Sequence, residues 1–256
     1  MIISLILPAL LIMIGEVSDA GVQGAPMKIT WFGQSAFRIE TGKSVLMVDP
    51  FLSGNPIFRG DPQQATVGTT HVALTHGHDD HVGDTVSICK SNSATLIAVF
   101  EIVSHLSKKG VENLEPTNTG GSIYTDDFDI TFVQAFHSSS SEGVYLGNPS
   151  GLIIKSKREK HTIYHMGDTA IFGDMSLINR LHRPDIGIVP VGDRFTMNPE
   201  TAAFACRSFF KFKTIIPCHY ATFPGYLLPD ASRFIKAMGP GKRAIKELRV
   251  GESISL

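Results

Sequence analysis

The sequence has few cysteines, a single tryptophan and no excess of charge of either sign. Its 256 residues include three cysteines, 23 Lys and Arg residues and 24 Asp and Glu residues, which gives a net charge of −1. Three cysteines cannot pair completely and are not spaced as a zinc ribbon, which argues against a disulfide scaffold. Without a basic excess, nothing favours binding to a phosphate backbone, so we predict no nucleic-acid partner.

Long apolar runs are also missing, except at the N-terminus. Residues 1–14 are nearly all apolar, but a bilayer-spanning helix needs about 20 such residues. The run resembles the apolar part of a signal peptide, although Pro8 interrupts it and no Lys or Arg precedes it. The alternative is that Met27 is the working start, because a strand-like segment follows it directly.

Both interpretations give the same domain division. We predict that residues 1–26 form an apolar or signal-like extension and that residues 27–256 form one domain with no stable membrane insertion. A start at Met27 favours a cytoplasmic protein, whereas a cleaved signal peptide would make it periplasmic or secreted. Both interpretations of the N-terminus are compatible with a homo-oligomer.

The rest of the chain has an ordinary globular composition, with 43% hydrophobic and 18% charged residues. No linker-like segment divides it, and strand patterns dominate with helices interspersed in both halves. This predicts an α/β protein in which two β-rich halves pack sheet to sheet with helices outside. Strands are expected at residues 28–32, 36–40, 44–48, 71–74, 94–99, 122–124, 129–136, 152–156, 162–166, 186–189 and 214–217, helices at 81–89, 101–109, 175–181 and 201–210, and a loop at 52–69.

One short segment concentrates residues that bind metals. His76-Gly77-His78-Asp79-Asp80-His81 directly follows an apolar strand. Imidazoles and carboxylates at this density suit zinc, or iron and manganese where oxygen ligands contribute. We attribute Gly77 to a tight backbone turn that lets both flanking rings face one point. Asp80 and His81, further along, can face a neighbouring point.

Three further candidate ligands follow later strands. His137, Asp168 and His219 each come after an apolar strand, so they should meet at one edge of the sheets. Seven candidate ligands suit two metal ions, most readily zinc, with manganese or iron as alternatives. The predicted arrangement is one ion at His76, His78 and His137, a second at Asp80, His81 and His219, and Asp168 bridging the two.

Two other polar residues are expected to support this site. Asp49, before Pro50 at a strand end, should orient a metal-binding histidine through its ring N–H. Gln34 is predicted to approach the site from a neighbouring loop, with a surface role as the alternative. We expect His165, within a strand, to be structural. Arg59 and Arg194 could each bind an anionic substrate, and otherwise the substrate-binding residues are unknown.

The motif and its later partners resemble the metallo-β-lactamase superfamily over most of residues 28–220. Met27-Lys28-Ile29-Thr30-Trp31-Phe32-Gly33, Val48-Asp49-Pro50 and Phe195-Thr196-Met197-Asn198-Pro199-Glu200 resemble its branch of metal-dependent hydrolases related to the ascorbate-6-phosphate lactonase type. Asp193-Arg194 departs from the pattern expected of that branch. The resemblance implies a four-layer αββα sandwich of two mixed sheets with a binuclear site at one edge.

The predicted activity is hydrolysis of an ester, lactone, amide or phosphodiester bond in a small molecule. A metal-bridging hydroxide would be the nucleophile, with Asp80 and Asp168 as the catalytic carboxylates. The alternatives are a di-iron redox protein and a non-catalytic metal-binding protein. The complete ligand set favours an enzyme, and no flavodoxin-like segment is present in the sequence to deliver electrons.

Overall fold

The first half of the chain forms most of a seven-stranded mixed sheet in the computed structural model, which describes residues 26–256. The strands are β1 (Lys28–Trp31), β2 (Phe37–Thr41), β3 (Ser44–Val48), β4 (His71–Ala73), β5 (Thr95–Val99), β6 (Leu114–Thr117) and, from the C-terminus, β15 (Ser253–Ser255). Their spatial order is β15-β1-β2-β3-β4-β5-β6. The pairs from β15 to β3 are antiparallel, and those from β3 to β6 are parallel.

The second half forms a six-stranded mixed sheet. Its strands are β7 (Ser122–Tyr124), β8 (Phe128–Gln134), β11 (Ser150–Ser156), β12 (Thr162–His165), β13 (Ile186–Pro190) and β14 (Thr214–Cys218), and between β8 and β11 lies a separate hairpin of β9 (Ser140–Ser141) and β10 (Val144–Tyr145). The spatial order is β14-β13-β12-β11-β8-β7, with β12, β13 and β14 parallel. β13 and β14 are buried throughout, as expected for strands covered on both faces.

The two sheets pack face to face, and helices cover their outer sides. Ring contacts cross the interface, with centroids 5.5 Å apart for Phe37 and His165 and 5.0 Å apart for His71 and Phe128. The helices are α1 (Pro62–Thr66), α2 (Asp79–Val82), α3 (Thr85–Asn92), α4 (Phe100–Ser107), α5 (Met175–His182), α6 (Pro199–Phe209) and α7 (Ser232–Met238), followed by a 3-10 helix (Gly239–Ala244). The predicted four-layer αββα sandwich is therefore confirmed.

Local differences from the predicted elements have steric causes. The helix expected at residues 81–89 is two helices, α2 and α3, because Gly83 takes φ +39° where a Cβ would lie 2.5 Å from the carbonyl oxygen of Pro50. The loop expected at residues 52–69 contains α1, whose N-terminus is capped by the Asp61 side chain. The C-terminal elements α7, the 3-10 helix and β15 were not predicted.

The N-terminal prediction concerns residues 1–26, of which residues 1–25 lie outside the described residues. Within residues 26–256, no helix is both long and apolar enough to cross a membrane. The division at residue 27 stays a prediction.

A buried carboxylate ties the two sheets together at the turn between β2 and β3. Asp127, just before β8, accepts hydrogen bonds from the Lys43 amide (2.9 Å), the Ser44 hydroxyl (2.9 Å) and Arg158 Nε (2.7 Å). Burial alone would raise the pKa of Asp127, but the Arg158, Lys43 and Ser44 hydrogen bonds outweigh it and lower that pKa.

Replacing Asp127 with alanine should therefore destabilise the fold by about 1–3 kcal/mol at neutral pH. A carboxylate whose pKa is lowered by folding stabilises the protein above its unfolded pKa of about 3.9, and this stabilisation is lost as the pH falls through the folded value. The difference in unfolding free energy between the wild type and Asp127→Ala, measured in urea, should shrink at acidic pH. Asp126→Ala, at the exposed neighbouring position, is the control and should have little effect. Equal stability of both variants would contradict this role.

Candidate metal centre

The seven predicted ligands converge at one edge of the two sheets. His76, His78, Asp80 and His81 lie on the segment after β4 and in α2, His137 follows β8, Asp168 follows β12 and His219 directly follows β14. Parallel strands expose their carboxyl ends at a common edge, and this brings residues far apart in sequence together. The structure places all seven in one cluster.

Three overlapping groups of potential ligand atoms lie in this cluster. They are His76 with His78 and His137, His76 with His81 and Asp168, and Asp80 with His81 and His219, and in each group the atoms lie within 4.8 Å of one another. The first and third groups match the two sets of three expected from the sequence.

Asp168 lies between these groups. Its Oδ2 is 2.9 Å from His219 Nε2 and 3.5 Å from His137 Nε2, and its Oδ1 is 3.4 Å from His81 Nε2. A single carboxylate therefore approaches histidines of both predicted metal positions. That placement is the one expected of a bridging ligand.

Among residues 26–256, several buried polar atoms at the centre of the cluster have no hydrogen-bond partner in suitable geometry. They include His81 Nε2, His219 Nε2 and Asp168 Oδ1. Leaving a buried polar atom unsatisfied costs about 1–3 kcal/mol. Bound cations would satisfy all three atoms at once, so the donor set fits divalent metal ions.

The electrostatics of the cluster also suit cations. Burial lowers the pKa of His76 well below its ordinary value, and it lowers the pKa of His78 and His137 as well, so these rings are neutral donors. Burial alone would raise the pKa of Asp168, but His219 and His81 outweigh it and hold that pKa well below its usual range.

His81 shows the opposite shift. Burial alone would lower the pKa of its ring, but the carboxylates of Asp168, Asp80 and Asp49 outweigh burial and raise that pKa well above the ordinary value. The surrounding carboxylates therefore favour positive charge at this point of the site. A divalent cation beside the ring would supply that charge.

Asp49 and Gln34 both reach the site. Asp49 Oδ2 lies 2.8 Å from His81 Nδ1, and the same carboxylate accepts hydrogen bonds from the Thr75 amide (2.8 Å) and hydroxyl (2.6 Å). Asp49 thus fixes the His81 ring from the side opposite Nε2, the geometry by which carboxylates orient metal-binding histidines. Gln34 Nε2 donates to Asp80 Oδ2 at 2.8 Å. Thr75 was not singled out from the sequence.

Left-handed backbone conformations concentrate around this site. Gln34 has φ +49°, Asp49 has φ +46° and His219 has φ +59°, all uncommon for residues with a side chain. The Gln34 carbonyl accepts hydrogen bonds from the His219 amide and from Trp31 Nε1, both at 3.0 Å, and these hold the strained turn in place. Strain of this kind, imposed by the surrounding structure, is typical of functional sites.

The structural reason for Gly77 differs from the one expected. Its φ is not in the left-handed region, so a tight turn is not what requires glycine here. A Cβ at this position would instead lie 2.5 Å from Leu146 Cβ, and the Gly77 amide donates to Ser139 Oγ at 3.0 Å. Gly77 therefore lets the metal-binding segment pack closely against the chain around the β9–β10 hairpin.

A cavity of about 590 Å³ opens over the cluster. Besides Gln34 and potential ligands, its lining contains Phe51, Phe195, Phe223, Asp79, Ser138, Ser140, Ser141 and Glu142. Ser138 Oγ lies 3.2 Å from His78 Nε2, and Ser141 donates to Asp79 at 2.6 Å. These serines carried no recognisable motif in the sequence.

Other residues considered from the sequence lie elsewhere. Arg59 and Arg194 are exposed and do not line this cavity. His165 is fully buried, with its Nε2 3.3 Å from the Ser35 carbonyl oxygen and its Nδ1 accepting from the Gly167 amide at 3.2 Å, as expected of a structural histidine.

Comparison with known proteins identifies the family. The model of the beta-lactamase superfamily domain matches residues 28–219. A metal-dependent hydrolase from Brucella anthropi is 55% identical over 218 residues, which cover 83% of this chain and 92% of that protein. A metallo hydrolase from the archaeon Ignicoccus hospitalis has a similar structure, with a TM-score of 0.80, 29% identity and coverage of 90% and 98% of the two chains.

A diiron β-hydroxylase from Streptomyces venezuelae also shares the fold, with a TM-score of 0.68, 11% identity and coverage of 92% of this chain and 55% of the hydroxylase. At that identity only the fold is shared. The chain belongs to the beta-lactamase superfamily. Within it, the chain is a metal-dependent hydrolase, as the similarity to the Brucella protein shows.

Proposed function

We propose that this hydrolase cleaves an ester, lactone, amide or phosphodiester bond of a small molecule, using two divalent metal ions. The observation that supports two ions is the pair of three-residue groups, His76 with His78 and His137 and Asp80 with His81 and His219, joined by Asp168. Zinc is the first candidate for this mixture of imidazole and carboxylate donors, with manganese and iron as alternatives.

Ions bound there would supply a nucleophile near neutral pH and polarise the oxygen of the scissile group. In the overall reaction, water adds to the electrophilic carbon or phosphorus, the bond to the leaving oxygen or nitrogen breaks, and the leaving group takes up a proton. Asp168 would fix the spacing of the two positions, because its carboxylate lies 2.9 Å from His219 Nε2 of one group and 3.5 Å from His137 Nε2 of the other.

Asp80 is positioned to transfer a proton during hydrolysis. Its side chain lines the cavity, is 26% exposed, and is held by the 2.8 Å hydrogen bond from Gln34 Nε2. We propose that this carboxylate accepts the proton of the attacking water and returns it to the leaving group. The role that we propose for Gln34 is to position the Asp80 carboxylate through this hydrogen bond.

The protein reconstituted with metal should contain close to two ions per chain by elemental analysis, and it should hydrolyse at least one member of a panel of lactones, esters, amides and phosphodiesters. His78→Ala should remove one ion and lower turnover by more than about a hundredfold, since His78 lies beside both His76 and His137. Circular dichroism should be unchanged, because His78 is at the N-terminus of the short helix α2 and outside the core.

His105→Ala is the matched control, since His105 lies on α4 and belongs to none of the three groups. It should keep both metal ions and full turnover. Trace metal after careful reconstitution, or undiminished turnover in His78→Ala, would contradict the proposal. Iron at full occupancy without hydrolysis of any panel member would favour the redox alternative.

A further inference from the structure

Two kinds of residue line the cavity over the metal centre. Three are aromatic, Phe51, Phe195 and Phe223, and the centroids of the Phe51 and Phe223 rings lie 6.2 Å apart. The polar ones include Ser138, Ser140, Ser141 and Glu142. We call the three phenylalanines the aromatic wall.

Apart from the histidines, the charged side chains that line the cavity are all acidic, and those outside the candidate metal ligands are Asp79 and Glu142. Asp79, Asp80, Glu142 and Asp168 line it, and among the lining residues of the described chain there is no Lys or Arg. Carboxylate and phosphate groups on ligands are usually held by guanidinium or ammonium groups. An anionic substituent extending away from the metal centre would here meet Glu142 or Asp79 without a countercharge, which costs binding energy.

Arg194, which precedes Phe195 in the sequence, packs against aromatic rings. The Arg194 guanidinium carbon lies 4.9 Å from the Tyr226 ring centroid and 5.7 Å from that of Phe195, and Arg194 lines a neighbouring cavity of about 650 Å³. The Phe195 and Tyr226 rings are stacked with centroids 6.4 Å apart. Arg194 therefore braces the Phe195 ring from outside the metal-centre cavity.

The backbone reinforces this arrangement. Asp193 and Arg194 both have left-handed conformations, with φ +65° and +47°, directly before Phe195. Phe195 nevertheless stays 49% exposed at the edge of the cavity. An aromatic ring that lines the cavity and stays half-exposed beside a polar centre is available to contact an apolar part of a ligand.

We propose that the cavity binds an uncharged ester or lactone whose apolar, aromatic-sized substituent packs against the aromatic wall. This inference rests on the proposed hydrolytic function and narrows it, since it disfavours substrates that carry a carboxylate or phosphate substituent away from the scissile bond. Phe195 is a specificity-determining residue, and Arg194 positions it.

The test uses the full-length metal-loaded protein and compares three γ-butyrolactones as its substrates. They carry a phenyl, a methyl or a carboxylate group at the γ-carbon. We expect kcat/KM for the phenyl lactone to exceed that for the methyl lactone by about tenfold, and the carboxylated lactone to be the poorest. In Phe195→Ala and Phe223→Ala the ratio of phenyl to methyl should fall to about two, mainly through KM. Phe204→Ala is the control, because Phe204 is 52% exposed on α6 and does not line the cavity.

A second measurement does not depend on turnover. Benzohydroxamate and acetohydroxamate both chelate metals, and calorimetric titration of the metal-loaded protein should show tighter binding of the benzohydroxamate by about tenfold, reduced in Phe195→Ala and kept in Phe204→Ala. If the protein hydrolyses lactones or esters but prefers the carboxylated one, or if neither phenylalanine variant changes the ratios, the inference is wrong and the hydrolytic function stands. Absence of hydrolysis of any substrate, with the hydroxamate preference intact, overturns the proposed function and supports the aromatic wall as a ligand site.

Discussion

Asp168→Asn should lower the metal content to about one ion per chain and reduce hydrolysis by more than about a hundredfold. The carboxylate lies within 2.9 to 3.5 Å of ring nitrogens of His81, His137 and His219, so it serves both predicted metal positions. Asparagine has nearly the same size but offers one good donor oxygen and no charge. Its loss should affect both ions, whereas His78→Ala removes a donor from only one group.

The measurement is elemental analysis together with turnover of the best panel substrate. Asp174→Asn, at an exposed position just before α5 where the side chain makes no capping hydrogen bond, is the matched control and should keep both ions. If Asp168→Asn retained two ions and normal turnover, Asp168 would not be the bridge. The two-metal assignment would then have to be redrawn around Asp80, which also lines the cavity over the cluster.

The ligand cluster could be predicted from the sequence because its information is local. His76, His78, Asp80 and His81 occupy one short motif, and His137, Asp168 and His219 each follow a recognisable apolar strand. The ends of adjacent strands share a sheet edge. The meeting of these ligands could therefore be predicted without knowing the side-chain positions. Asp49 could be found in the same way, from its position before Pro50 at the end of a strand.

The aromatic wall could not be found in this way. It is formed by phenylalanines from three loops, Phe51, Phe195 and Phe223. In the sequence, nothing distinguishes any one of them from a phenylalanine that packs in a core. The position of Phe195 depends on the left-handed turn at Asp193 and Arg194 and on its stacking with Tyr226, and Phe51 and Phe223 meet each other across two loops. Contacts between loops far apart in sequence leave no periodic pattern. The residues that determine substrate specificity could therefore not be predicted from sequence patterns.

Glycine roles were also incompletely predicted, because close approach of two segments is a tertiary property. Gly83 divides α2 from α3 where the backbone meets Pro50, and Gly77 makes room for Leu146. Neither neighbour is close in sequence. Gly192 makes the same kind of close contact with the backbone of His219, which is a candidate metal ligand.

Gly192→Ala should displace His219 and lower the occupancy of the metal position that contains it. Gly192 follows β13, and a methyl group there would overlap the carbonyl oxygen of His219. β13 and β14 are held together just before this point by the 3.0 Å hydrogen bond from the Val191 amide to the Cys218 carbonyl, so the strands cannot separate freely. The added methyl should therefore push the end of β14 away from Asp168, and overpacking of this kind costs about 1–3 kcal/mol of stability.

Urea unfolding and elemental analysis of the same preparations test this expectation. Gly173→Ala is the matched control, because a Cβ at Gly173 meets no atom within 4 Å and its φ is not left-handed. That variant should keep wild-type stability and both ions, whereas Gly192→Ala should lose stability and retain about one. Retention of two ions by a destabilised Gly192→Ala protein would mean that another part of the chain moves and His219 keeps its position. His219 would then be held by its 2.9 Å contact with Asp168 and not by the strand end.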